Sequence, residues 1–158
     1  MEKRLCCLIS DASCLIVKDR RAAEEIRRVT LLAMLDGYNE YLTDLGSPAA
    51  LIFANYILDE REHVAATRLE AIIETNRELR RMYYDENLFH IISRCTEYLS
   101  WENIKGGDRR AMLRYMMDRS TRILIPYDGR KRDDSDAVYA IDYLASANRY
   151  DEAVIIEV

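Results

Sequence analysis

The chain has 158 residues, which fits a single domain with its own core, so we expect residues 1–158 to form one domain. Hydrophobic residues make up 49% and charged residues 32%, a balance that excludes an intrinsically disordered chain. The net charge of −5 argues against general nucleic-acid binding, although a mean value can hide a local basic patch. We therefore expect no nucleic-acid partner.

The start of the chain contains two short apolar runs, over residues 5–9 and 14–17, with Asp11 between them. Both runs are too short to cross a bilayer, and charged residues follow them. We expect folded structure here, no membrane span and a cytoplasmic location. No cysteine pair has the C-x-x-C spacing of a zinc site, so free thiols in a reducing compartment are expected at Cys6, Cys7, Cys14 and Cys95.

Apolar periodicity predicts helices in the first half of the chain. Residues 21–45 carry an apolar stripe at helical spacing. Gly46 then suits a C-terminal cap, while Ser47 and Pro48 suit the N-cap and first turn of a new helix. The next helical period covers residues 48–84, and its polar stretch at 59–63 is where we expect a break.

The second half contains further helix signals and two apolar, β-branched runs. Helices are expected over residues 86–101 after Asp85, from Asp108 to Ser120, and after Asp134 or Ser135. Residues 122–126 and 153–156 favour strands, whereas residues 5–9 fit either a hairpin strand or a buried helix. The predicted fold is therefore mainly α, a bundle of about six helices, with a small β element from the termini and residues 122–126 as an open addition.

One pair of side chains is typical of a metal site. Glu60 and His63 are three residues apart on a predicted helix, which is the spacing of one ligand pair in di-iron bundles. The second pair is missing, because the only other histidine, His90, has Asn87 three residues before it. No nucleophile elbow or phosphate-binding glycine loop is present either, so the sequence predicts no enzyme, metal or cofactor.

Tyrosine is the most unusual residue in the composition, with 11 copies beside 2 Phe and 1 Trp. Tyrosine and tryptophan are favoured at protein–protein contacts. Tyr83, Tyr84 and Trp101 lie near predicted helix ends, where such rings can be exposed. We predict these three residues as partner-binding positions, with packing at the edge of the core as the alternative.

The sequence Glu-Asn-Leu-Phe-His-Ile-Ile-Ser-Arg-Cys at residues 86–95, followed by Trp101, resembles the central helix of the poxviral Bcl-like proteins. Residues 31–38 also resemble an early helix of those bundles. The resemblance departs from the family at Ser93 and Arg94, where small apolar residues are preferred. It implies a compact helical bundle without catalysis, which binds host signalling or death-regulating proteins and often forms a homodimer.

These observations predict a non-enzymatic protein–protein interaction module, and the resemblance implies that it is a viral inhibitor of host innate-immune or death signalling. Two alternatives remain. One is a metal-dependent helical-bundle enzyme that uses Glu60 and His63, and the other is a structural subunit of a larger assembly.

Overall fold

The computed structural model describes residues 4–12, 20–63, 66–104, 108–130 and 133–158. Within these residues, six strands form one parallel sheet and seven α-helices pack against it. The chain is therefore an α/β protein, and the predicted bundle of about six helices is wrong. The bundle architecture implied by the Bcl-like resemblance is wrong for the same reason.

The sheet has the strand order β4-β3-β2-β1-β5-β6, and every neighbouring pair is parallel. Parallel pairing requires a crossover between consecutive strands, and each crossover here contains at least one helix. The strands are β1 (Leu5–Leu8), β2 (Glu40–Thr43), β3 (Arg68–Ile73), β4 (Glu97–Ser100), β5 (Arg122–Tyr127) and β6 (Ala153–Glu157).

The helices divide between the two faces of the sheet. The first four contribute to one hydrophobic core and the last three to a second core on the opposite face. A 3-10 turn at Tyr150–Glu152 precedes β6. The helices are α1 (Arg20–Leu35), α2 (Pro48–Glu60), α3 (Asn76–Tyr84), α4 (Glu86–Arg94), α5 (Trp101–Ile104), α6 (Arg109–Arg119) and α7 (Asp136–Ser146).

Strand β1 shows why the short apolar runs lack the alternation of apolar and polar residues that is typical of a strand with one exposed face. Cys6 and Leu8 belong to the core under α1 to α4, whereas Cys7 and Ile9 belong to the core under α6 and α7. A parallel strand with both faces covered is apolar at every position. The two thiols are fully buried, and burial raises the pKa of Cys7 to about 12, so neither is a reactive nucleophile.

The predicted helix over residues 21–45 is really a helix followed by a strand. Helix α1 ends at Leu35, and Gly37 adopts a positive φ of 93°, a conformation that glycine adopts readily. Strand β2 then sends Tyr41 to one core and Leu42 to the other. Leu35 belongs to α1 and Leu42 to β2. Their helical spacing across the junction between α1 and β2 is therefore a coincidence.

Two further strands lie inside segments predicted as helix. Helix α2 ends at Glu60, where a break was predicted, but β3 follows before α3 begins. Helix α4 ends at Arg94 rather than continuing to Trp101, because Cys95 has extended backbone and β4 follows. Each missed strand is parallel to partners that are distant in sequence, so no hairpin turn marks it.

Several local predictions are confirmed. Ser47 and Ser135 are the N-caps of α2 and α7, and Asp85 and Asp108 cap α4 and α6 with their carboxylates. Strands form at residues 122–126 and 153–156. Residues 5–8 form β1, which pairs in parallel with β2 and β5, so this segment is neither half of a hairpin nor a buried helix. These three strands are neighbours in the order β1-β5-β6, so the predicted small β element is half of the real sheet. Residues 14–17 lie outside the described residues.

No helix among the described residues combines the length and apolar character that crossing a membrane requires.

Candidate functional site

The direction in which the sheet grows reverses at β1. Strands β2, β3 and β4 are added in turn on one side of β1, and β5 and β6 are added on the other side. In an open α/β sheet, such a reversal leaves a crevice outside the carboxyl ends of the strands, and ligands bind there. The segments that follow β1, β2, β3 and β5 meet at this edge of the sheet.

The first residue of α6, Arg109, is the centre of this edge. Its guanidinium donates to Asp136 at 2.9 and 2.7 Å, to Asp44 at 2.9 Å and to Glu74 at 3.1 Å. The three carboxylates come from the end of β2, the end of β3 and the start of α7. One side chain therefore ties together three segments that are far apart in sequence, and it leaves the cluster with excess negative charge.

Burial and charge act in opposite directions on the groups of this cluster. Burial lowers the pKa of Arg109, but the hydrogen bonds and charges of Asp136 and Asp44 outweigh it and raise that pKa overall. Burial raises the pKa of Asp136, and Arg109 offsets only part of the rise. Burial also raises the pKa of nearby Glu78, and the charge of Glu74 adds to that rise. The cluster is thus crowded with carboxylates that share one guanidinium.

Asp11, which follows β1, fixes the start of α7. One of its oxygens accepts from the Ser135 hydroxyl at 2.8 Å, and the other accepts from the backbone N–H groups of Asp136 at 2.6 Å and Ala137 at 3.3 Å. A carboxylate at a helix N-terminus is stabilised by the unpaired N–H groups and the helix dipole. Asp11 therefore anchors Asp136, which in turn receives Arg109.

The turn between β2 and α2 is tightly constrained. Leu45 has a positive φ of 56°, which is rare for a residue with a side chain, and its side chain is buried. The Asp44 carboxylate accepts from the N–H of Gly46 at 2.9 Å with the oxygen that does not face Arg109. A Cβ at Gly46 would lie 3.2 Å from that carboxylate, so only glycine leaves Asp44 undisturbed.

These segments line a cleft of about 640 Å³. That volume is in the range of small-molecule sites. Five carboxylates and two guanidinium groups line it, so its charge is negative, and one wall is apolar. The charged residues are Asp11, Glu74, Glu78, Asp134, Asp136, Arg81 and Arg109; the apolar wall consists of Leu45, Pro48, Leu51, Met82 and Leu88.

The three residues predicted to bind a partner do not lie together in this cleft. Tyr83 and Tyr84 are exposed at the end of α3, and Tyr84 is 92% exposed. Trp101 is buried in the core that contains α6 and α7, with its ring 5.3 Å from that of Tyr115. Contact with a partner stays a prediction for Tyr83 and Tyr84. Trp101 is buried, which fits the alternative given for it, packing in the protein.

The pair Glu60 and His63 lies at the end of α2, where the backbone N–H of His63 donates to the carbonyl of Glu60. His63 is exposed, and α2 ends before it, so the helical spacing assumed for the pair is absent. Across the part of the chain that the structure describes, no three His, Cys, Asp or Glu side chains are grouped in a way that could hold a metal ion.

Sequence reasoning missed the carboxylates at this edge of the sheet. A signal was present, because three apolar runs are each followed within three residues by an acidic residue: Asp11, Asp44 and Glu74. If those runs are parallel strands, their acidic residues must share one edge of the sheet. Because β2 and β3 were not predicted, Asp44 was assigned to the helix over residues 21–45. Glu74 was assigned to the helical stretch over residues 48–84.

No known protein family matches the sequence, and no curated protein is significantly similar to it.

Proposed function

We propose that this protein binds a small polar molecule in the cleft at the carboxyl ends of β1, β2, β3 and β5. The observation that carries the proposal is the position of a cleft of about 640 Å³ at the point where the strand order reverses. Two other grooves of comparable volume lie among the described residues, one along α1 and lined mainly by charged side chains, and one between α2 and α4. Neither is lined by Arg109 or its carboxylate partners.

The polar part of the cleft is suited to hydrogen-bond donors. Carboxylate oxygens accept hydrogen bonds, and five carboxyl groups line the cleft. The donors of Arg109 are already directed at Asp44, Glu74 and Asp136. A ligand that presents hydroxyl, amino or guanidino groups would satisfy the acceptors, and hydrogen bonds to charged groups are the stronger kind.

The opposite wall of the cleft is suited to an apolar or aromatic group. Leu51, Met82 and Leu88 come from α2, α3 and α4, and Met82 and Leu88 are held close by the short link between α3 and α4. A planar ring or alkyl chain placed there would lose contact with water while its donors face the carboxylates. The ligand class is therefore a molecule with several donors on one side and an apolar part on the other, such as a nucleoside or an aliphatic amine.

The arrangement favours binding over catalysis. The best-placed hydroxyl, that of Ser135, donates to Asp11 and accepts from the N–H of Val138, so it acts as a helix cap. No ionised base with a free nucleophile beside it is found among the described residues of the cleft. We therefore assign no reaction to this site.

The test is a titration of the full chain, labelled with ¹⁵N, with adenosine, cytidine, ribose and spermidine in separate experiments. Amide shifts are expected at Gly46 and Ser135 for at least one compound. Glu74→Gln should weaken that binding about tenfold, since one charged acceptor is lost. Glu97→Gln, on the outer strand β4, is the matched control and should bind normally. The proposal fails if no compound shifts the cleft resonances below about 1 mM.

A further inference from the structure

The exposed side of α3 carries charge of the opposite sign to the cleft. Arg80 and Arg81 lie three and four residues after Arg77, and Tyr84 lies four and three residues after them, so the four share one side of the helix. All four are exposed. We call these four residues the α3 face.

The arginines of the α3 face are not used to hold the fold together. Arg77 and Arg80 form no hydrogen bond or ion pair with any described residue, and Arg81 interacts with Glu78 only through its charge. Glu78, the acidic residue of the helix, lines the cleft instead. Because unpaired exposed arginines contribute little to stability, their clustering on one face of an acidic chain needs another explanation.

Aromatic rings extend the α3 face onto the neighbouring elements. Tyr84 is 92% exposed, so both faces of its ring are open. Tyr83, Phe89 and Tyr98 are each exposed by 42–44%. The Tyr83 ring lies 5.7 Å from Phe89 and 6.4 Å from Tyr98, and the hydroxyls of Tyr83 and Tyr98 are hydrogen-bonded at 2.5 Å. A fixed group of half-exposed rings thus adjoins the arginines.

We propose that the α3 face binds a short segment of single-stranded nucleic acid. Arginines spaced along a helix match a row of phosphates, and open aromatic rings accept stacked bases, which a duplex keeps hidden. An acidic protein would also satisfy the arginines, but single-stranded nucleic acid matches both features of the face, since its phosphates pair with the arginines and its bases stack on the open ring of Tyr84. The net charge of −5 argues only against general binding, because here the charges are separated on the surface.

The test uses fluorescence anisotropy of labelled oligouridylate of about 12 nucleotides, a length within the range that one domain contacts. If three arginines contact phosphates, the logarithm of the binding constant should fall linearly with the logarithm of the salt concentration, with a slope of about −2. A duplex of the same length should bind more weakly. Arg80→Gln should weaken binding severalfold and reduce the slope by about 0.7.

The aromatic part is tested by two substitutions at one position. Tyr84→Ala should weaken binding about tenfold without changing the salt slope, whereas Tyr84→Phe should retain binding because the ring is kept. Arg27→Gln, at an exposed position of α1, controls for the general loss of positive charge. Thermal unfolding followed by circular dichroism checks that each variant is folded.

Two outcomes would overturn the proposal. One is an affinity for oligouridylate that neither Arg80→Gln nor Tyr84→Ala changes relative to Arg27→Gln. The other is displacement of the oligonucleotide by polyglutamate at equal charge concentration, since a contact that ignores bases and phosphates would indicate an acidic protein partner. Because Arg80 and Tyr84 do not line the cleft, either result leaves the proposed small-molecule site untouched.

Discussion

The cleft and the α3 face lie side by side and are built in opposite ways. The cleft is concave and acidic, and its side chains come from segments as far apart as Asp11 and Asp136. The α3 face is convex and basic, and its four residues lie within eight consecutive positions, 77–84. Arg81 belongs to both, because it also lines the cleft. The net charge of −5 is a sum over the whole chain, and it describes neither surface.

The two surfaces also differ in what their arginines do. Arg109 is partly buried and has three carboxylate partners, whereas Arg80 is exposed and has none among the described residues. The first side chain is needed for the structure of its surface, and the second is free to contact a partner. This difference can be measured.

The largest effect is expected from removing Arg109. Arg109→Ala would leave Asp44, Glu74 and Asp136 together without a cation, so the free energy of unfolding should fall by about 3 kcal/mol in urea titrations. Arg80→Ala is the matched substitution on the α3 face and should change it by less than about 0.5 kcal/mol. Equal losses for the two variants would contradict the contrast between a structural and a free arginine.

Removal of Asp11 should have the next largest effect. Asp11→Ala deprives the Ser135 hydroxyl and two backbone N–H groups of their acceptor, and we expect a loss of about 2 kcal/mol. Asp11→Asn keeps one carbonyl oxygen and should lose less. Hydrogen exchange should then show faster opening at the start of α7 but unchanged protection in α3. A uniform change throughout the protein would count against a local anchor.

Gly46→Ala tests the turn that holds Asp44, and its cost should be about 1 kcal/mol. The new Cβ would press on the Asp44 carboxylate and shift it from Arg109. Gly129→Ala is the control, because Gly129 has a positive φ of 81° with open space around it, so its cost of about 1 kcal/mol comes from the backbone alone. Only the substitution at Gly46 should change the amide chemical shifts of the cleft. Similar spectra for both variants would show that the new Cβ does not displace the Asp44 carboxylate.

The smallest effect concerns Glu78, at the border of the two surfaces. Burial raises its pKa above the ordinary 4.5, so the folded protein holds this proton to higher pH than the unfolded chain. The contribution of this proton to stability is complete below the pKa of Glu78 in the unfolded chain. It is lost as the pH rises through the pKa of Glu78 in the folded protein. Glu78→Gln should therefore be more stable than the parent at neutral pH, by less than about 1 kcal/mol, and the difference should disappear at about pH 4. A constant difference at all pH values would refute this cause.

The elements that sequence reasoning predicted correctly are those with local signals. Helix starts at Ser47, Asp85, Asp108 and Ser135 were correct because a capping side chain bonds to an N–H two or three residues away. Strands β5 and β6 were found because their β-branched runs stand apart from any helical period.

The strands that were not predicted, β2, β3 and β4, have apolar spacings that fit either a helix or a strand. Leu69 and Ile72 are three residues apart, as on one side of a helix, but in β3 they belong to opposite cores. With β2, β3 and β4 read as helix, the sequence suggested a bundle, and the resemblance to Bcl-like proteins followed from the same apolar spacing. The candidate cleft was lost with them, because its carboxylates are defined by where the strands end.

By itself, the sequence determined the starts of four helices, two of the strands and the composition of the α3 face, since each depends on residues within about one or two helical turns of one another. Only the tertiary structure decided the parallel sheet and the cleft. Parallel strands are joined through helices, so their pairing carries no turn signal, and Asp11, Asp44, Glu74 and Asp136 become neighbours only when the sheet is assembled around Arg109.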